Sequence, residues 1–249
     1  MKVFSVLGIS QSGKTTTIEE IIKELKRRRY TIGTVKDIHF EGFSIDTKGT
    51  NTYRHAKAGA DLVTARALYE TDILFNQRLD IYDILRFYNY DYVILEGCYD
   101  ANVPKILTGH NVSEINERLD NHVFAISGRI AAQVDTYKGL PVINALENIQ
   151  TLVDLIEEKV FDILPDFDAK CCGACGFSCR ELHARILKGI ASRSDCNICT
   201  NNIKLFVGAQ EVNMVPFVQK ILANAVEGVV KELEGFKSNA DIRIEIKKG

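Results

Sequence analysis

No stretch of this 249-residue chain is apolar for the length of a membrane span. That argues against a helical membrane protein. Charge of one sign is also lacking. The formal net charge is −2, so no bulk pull toward nucleic acid or an anionic lipid surface is expected. A secretory leader is not expected either, because Val3–Leu7 is too short for its apolar region and a glycine-rich loop follows at once. The chain reads as cytoplasmic, with neither nucleic acid nor membrane as a partner. It has no internal repeat and no low-complexity linker. What is present suits a folded core: 46% hydrophobic and 26% charged residues are globular values.

The most informative stretch is Gly8-Ile9-Ser10-Gln11-Ser12-Gly13-Lys14-Thr15, which fits the phosphate-binding pattern G-x-x-x-x-G-K-[ST]. Its surroundings agree. Lys2–Leu7 is a short β-rich run, and Ile18, Ile21, Ile22 and Leu25 recur at helical spacing behind it. Strand, loop and helix follow in the order the motif needs. Backbone amides of such a loop and the helix N-terminus converge on nucleotide phosphates. The candidate nucleotide contacts are Gly8, Ser10, Gln11, Ser12, Gly13, Lys14, Thr15 and Thr16. Lys14 is expected at the β- and γ-phosphates and Thr15 at Mg²⁺. No Asn-Lys-x-Asp guanine-reading motif occurs, so base preference is not legible from the residues.

Thr31–Lys36 reads as a second strand. The polar run after it, from Asp37 through Arg54, follows a strand end where ligands of doubly wound sheets bind. Asp37 or Asp46 could hold Mg²⁺, and Lys36, His39, Lys48 or Arg54 an anion. The alternative is a plain surface loop leading into a helix over 50–58. The five cations Lys23, Lys26, Arg27, Arg28 and Arg29 read as a solvated helix end. Leu62–Ala67 is expected as a strand and Gln77–Tyr88 as a helix. Tyr92–Gly97 is a hydrophobic strand ending in an acid, like a Walker B strand. Glu96 at its exit can serve the Mg²⁺ shell or orient a water. Lys14 and Glu96 are therefore the candidate catalytic pair. Asp91 reads as a turn or cap residue and Cys98 as an inert small residue. Strands over 103–107, 121–128 and 140–144 and a helix over 148–160 complete an α/β domain of residues 1–165 with a mostly parallel, doubly wound sheet.

Six of the seven cysteines fall within 29 residues: Cys171, Cys172, Cys175, Cys179, Cys196 and Cys199. In a reducing compartment such clustering points to metal or redox chemistry. Cys172, Cys175, Cys179 and Cys196 can ligate a [4Fe–4S] cluster, and the segment resembles the small cluster domain of corrinoid iron–sulfur proteins. The alternative is Zn²⁺ on Cys172, Cys175, Cys196 and Cys199. A short helix from Glu181, with His183 on the surface, lies between the later cysteines. Residues 166–200 form this cysteine-rich module. Residues 201–249 read as a small α+β unit: alternation at Ile203, Leu205 and Val207, then a helix from Pro216 burying Val218, Leu222, Ala225, Val229 and Leu233, then a closing strand at Ile242, Ile244 and Ile246.

Taken together, the early loop, Lys36-Asp37-Ile38-His39, Arg54-His55 with Ala58-Gly59-Ala60, and Tyr92–Gly97 followed by Pro104-Lys105-Ile106 resemble the MobB family of molybdopterin-guanine dinucleotide biosynthesis adaptors over about residues 1–165. The resemblance implies a GTP-binding, weakly hydrolysing, Mg²⁺-dependent protein, often a homodimer. It would work with the guanylyltransferase of molybdenum cofactor maturation and with molybdoenzymes. Phe40 stands where members often carry a second histidine, and short members lack the cysteine region. Two other readings stay open: a P-loop kinase of a small metabolite, and a redox-switched carrier whose cluster gates docking.

Overall fold

A computed structural model describes residues 1–166, 175–196, 203, 205–208, 210–212, 214, 216–236, 242–244 and 246. Cys171, Cys172 and Cys199 lie outside these. The chain divides into two compact units, Met1–Ile163 and Leu164–Gly249.

The first unit is built on five parallel strands: β1 (Lys2–Gly8), β2 (Ile32–Lys36), β5 (Tyr92–Glu96), β6 (Lys105–Thr108) and β7 (Val123–Ser127). Their order is β2-β5-β1-β6-β7. Strands β1, β6 and β7 are near-continuous buried runs, the mark of a sheet covered on both faces. Val3, Val93 and Leu95 pack with Ile81 and Leu85 of α3 (Ile81–Leu85). Leu7, Leu107 and Ile126 pack with Ile115 of α4 (Val112–Asn116). The long helices α1 (Lys14–Arg27) and α5 (Ile149–Lys159) lie side by side. From β1 the chain crosses to β2 on one side of the sheet, and from β5 it crosses to β6 on the other. The carboxyl end of β1 is thus the point where strand order reverses, and crevices open at such points.

The helix expected over 50–58 is α2 (Asn51–Lys57). Thr50 caps it, its hydroxyl accepting from Tyr53 N. The strand expected at Leu62–Ala67 is β3 (Leu62–Arg66). It forms an antiparallel hairpin with β4 (Thr71–Phe75), which the sequence reading passed over. The helix expected over 77–88 shortens to α3: Asp80, itself extended, caps Tyr82 N at one end, and Arg86 ends the helix at the other. Asp91 ties the starts of β2 and β5, its carboxylate accepting the N–H and the hydroxyl of Thr31, both at 2.7 Å. The strand expected at 140–144 survives only as β9 (Leu140–Pro141), paired with β8 (Thr136–Tyr137), and a single bridge from Val142 to Ile126.

The second unit contains α6 (Cys179–Leu187), β10 (Leu205–Val207) paired with β11 (Gln210–Val212), and α7 (Pro216–Val230). Helix α6 opens on a capping box of Ser178 and Glu181. Three expectations fail here. His183 is 1% exposed, so it belongs to the interior, not the surface. The apolar stripe of α7 is not buried: Val218, Val229 and Leu233 stand exposed among the described residues. Ile242, Ile244 and Ile246 belong to no strand. Spacing shows which residues share a face, but not whether a neighbour covers that face.

Candidate functional site

The loop between β1 and α1 curls at the carboxyl end of the sheet and opens on a cleft of about 970 Å³. Gly8, Ser10, Gln11, Gly13, Lys14, Thr15 and Thr16 line it, together with Lys36, Asp37, His39 and Glu96. Ser12 faces away. It is fully buried, and its hydroxyl pairs with Thr108 Oγ1 at 2.6 Å and donates to the Ile9 carbonyl at 2.8 Å. It shapes the loop from behind.

Helix α1 begins on Gly13 with no side-chain cap, and no acid sits in its first turn. Its free amides and positive dipole end face the cleft, as an anion site requires. Lys14 Nζ donates to the carbonyls of Gly8, at 2.9 Å, and Ile9. Burial lowers its pKa below the ordinary lysine value, partly offset by Glu96. Thr15 Oγ1 donates to Glu96 Oε1 at 3.1 Å, and Lys36 Nζ lies 3.3 Å from the same oxygen. A hydroxyl from the loop and a carboxylate from the Walker B strand are thus side by side. This hard oxygen pair fits Mg²⁺.

The segment after β2 divides. Lys36, Asp37 and His39 reach the cleft. Asp37 pairs with Arg78 at 3.1 Å and lies 3.8 Å from His39. Asp46, by contrast, accepts from Thr47 N and from the hydroxyls of Thr50 and Thr52. These bonds, the Thr50 hydroxyl first, hold its carboxyl below the usual range. It serves a helix start, and neither Asp46, Lys48 nor Arg54 lines the cleft. Cys98 is 2% exposed, and burial pushes its thiol up to about 12, as suits an inert residue.

Sequence reasoning missed the far wall, which Tyr99, Arg118, Arg129, Asn144 and Leu146 supply. It also missed the loop's supports. Arg129 N donates to the Ser12 carbonyl at 3.1 Å, and His110 Nε2 lies 3.1 Å from the Gln11 carbonyl. In the second unit, Cys179 and Cys196 are buried and Cys175 is half-buried. Among the described residues no group of three or more His, Cys, Asp or Glu side chains is placed to hold a metal. The expected ligand Cys172 lies outside them. No helix of the described residues is long and apolar enough to cross a membrane.

A parallel doubly wound sheet with a glycine loop at its switch point defines the class, a P-loop α/β protein. Within that class, the profile of the family "Molybdopterin guanine dinucleotide synthesis protein B", or MobB, matches residues 3–128. A molybdopterin-guanine dinucleotide biosynthesis adapter protein of Methanocaldococcus jannaschii is 32% identical over 253 residues, 99% of this chain and 97% of its own. The chain belongs to the MobB family. An adapter of the same description from Bacillus subtilis is 26% identical over 57% of this chain and 85% of its own. The crystal structure of Bacillus subtilis MobB shares the fold, with a TM-score of 0.55 at 23% identity, over 66% of this chain and all of that one.

Proposed function

We propose that this protein is a GTP-binding adapter in molybdopterin-guanine dinucleotide biosynthesis, a slow Mg²⁺-dependent GTPase that works beside the guanylyltransferase. The observation that carries the reading is the convergence of an uncapped α1 terminus, Lys14 and the Thr15–Glu96 pair on one cleft. The names borne by its relatives supply the pathway.

In this reading the amides of the loop and of α1 bind the phosphates, and Lys14 neutralises the charge between β and γ. Thr15 and Glu96 hold Mg²⁺, which when bound shields phosphate oxygens. Lys36 steadies Glu96 and places a second cation beside the cleft. Asp37 and His39, next along the chain, sense whether the terminal phosphate is present. The partner is the guanylyltransferase, the place of action the cytoplasm, and the working form a homodimer that also meets molybdoenzymes. Residues 1–165 are the nucleotide domain in this scheme. Residues 166–200 carry a [4Fe–4S] cluster on Cys172, Cys175, Cys179 and Cys196, and residues 201–249 form a docking unit. Cysteine spacing and the burial of Cys179 and Cys196 support the cluster.

Calorimetry with Mg·GTP and Mg·ATP tests the site. Micromolar GTP binding that accelerates guanylyl transfer to molybdopterin in the presence of the transferase supports the reading. Phosphate passed instead to a small acceptor makes the protein a kinase. Iron and sulfide analysis of anaerobically isolated protein tests the cluster, and one stoichiometric zinc without iron refutes it.

A further inference from the structure

His110 makes contacts that demand more than position. It lies two residues past the end of β6, and its ring lies between two acceptors. Nε2 is 3.1 Å from the carbonyl oxygen of Gln11, and Nδ1 is 3.1 Å from Glu114 Oε2. A neutral imidazole carries one N–H and one lone pair. It can serve either acceptor but not both. The imidazolium serves both.

The surroundings hold the ring in this position. Glu114 Oε2 also accepts the His110 backbone N–H at 2.8 Å, and Glu114 Oε1 accepts the Asn111 amide at 3.2 Å. The backbone bond first, and then the ring, hold the Glu114 carboxyl below the usual range against the effect of burial. Gln133 donates to the His110 carbonyl at 2.7 Å. Other charges on the elements around the ring are Arg118, which donates to the Glu114 carbonyl at 3.1 Å, and Lys14 and Arg129 in the adjoining cleft. The group met from the loop side is a neutral carbonyl.

That carbonyl matters because of peptide geometry. In a trans peptide the C=O and the following N–H point in opposite directions. Holding the Gln11 carbonyl on His110 therefore aims Ser12 N–H to the side opposite the ring. Arg129 N does the same for the next peptide by holding the Ser12 carbonyl. The Gln11 peptide needs its anchor more, since Gln11 sits at φ +60, a conformation unfavourable for a residue with a side chain.

We infer that protonated His110 is a positioning residue that sets the loop amides for an oligophosphate, so that nucleotide affinity depends on its charge. This rests on the nucleotide reading above. The test is the dissociation constant of Mg·GTP for the full chain and for His110→Gln, from about pH 5.5 to about pH 8.5. Losing one bond to a charged donor costs about tenfold. The wild type is expected to bind about tenfold more tightly than the variant at the acid end and to converge on it at the alkaline end. Ionisation of the nucleotide itself is common to both and cancels in the ratio. Parallel profiles, or equal affinity at low pH, overturn the inference while leaving the nucleotide site intact. No GTP binding by the wild type at any pH overturns the nucleotide reading and this inference with it. If His110→Gln fails to fold, nitrogen NMR of the ring in the wild type carries the test. Two N–H groups at the acid end support the inference, and a ring neutral throughout overturns it.

Discussion

At the scale of single residues, position in the loop separates ligand contacts from scaffolding. Lys14 is half-buried and, among the described residues, donates to two loop carbonyls, so its removal should spare the fold. Lys14→Ala is expected to weaken Mg·GTP binding about 10- to 100-fold, the range of a charge-assisted bond, with an unchanged melting temperature. Calorimetry and thermal melting check both halves. Gly128 shows the opposite behaviour. It sits at φ +79, and a Cβ there would collide with the Ser12 carbonyl and lie 2.9 Å from Thr108 Cβ. Gly139 has nearly the same φ, +78, but open space around it. Gly139→Ala should therefore cost only about 1 kcal/mol of backbone strain, whereas Gly128→Ala should cost about 2 kcal/mol or more. Only Gly128→Ala should also impair nucleotide binding, because the atom displaced belongs to the loop. Urea titrations and GTP binding of the two variants make the comparison.

At the scale of elements, one of the five cations at the end of α1 forms a clasp, while Lys23, Lys26, Arg27 and Arg29 stand exposed as a solvated helix end should. Arg28 is 18% exposed and reaches Asp154 at 2.7 Å and Glu157 at 2.8 Å on α5, while Glu24, 5% exposed, accepts from Arg27 and Arg28. Hydrogen bonds from Arg27 and Arg28 lower the Glu24 carboxyl to about 2. A carboxyl depressed in the folded state adds stability above its unfolded value, and that stability is lost as pH falls through the folded one. The wild type should lose stability between about pH 4.5 and about pH 2, and Glu24→Gln should flatten that part of the curve. Denaturation midpoints against pH test this, and identical curves would remove the clasp from the account. The same residues show what was legible. The loop and Glu96 could be read because each lies in one contiguous stretch, strand then turn. Thr108, His110, Arg129 and Asn144 could not, since only the pairing of β1 with β6 and of β6 with β7 brings them to the loop. Arg28 could not be told from its solvated neighbours because its partners on α5 lie over 120 residues away. Periodicity found the apolar faces of both α1 and α7, yet only that of α1 is buried.

At the scale of the whole molecule, the first unit closes on itself. The terminal amine of Met1 pairs with Asp162 at 2.9 Å, Lys2 bridges to Asp162, and Ile163 N donates to the Met1 carbonyl at 3.1 Å. The last residues of the unit thus pair with the start of the first strand, and Val160 is 2% exposed. All five parallel strands, both helices of the α1–α5 pair and every residue lining the cleft fall before residue 164. A fragment of residues 1–163 should therefore unfold cooperatively and bind Mg·GTP within about threefold of the full chain, a difference of about 0.6 kcal/mol. Ending the chain at residue 158 instead removes the buried Val160 and the Asp162 and Ile163 ties, at an expected cost of about 2 kcal/mol or more. If 1–163 bound nucleotide much more weakly than the full chain while folding as well, residues 164–249 would have to act on the cleft. The division of labour between a nucleotide domain and a cysteine-bearing unit would then give way to a single coupled device.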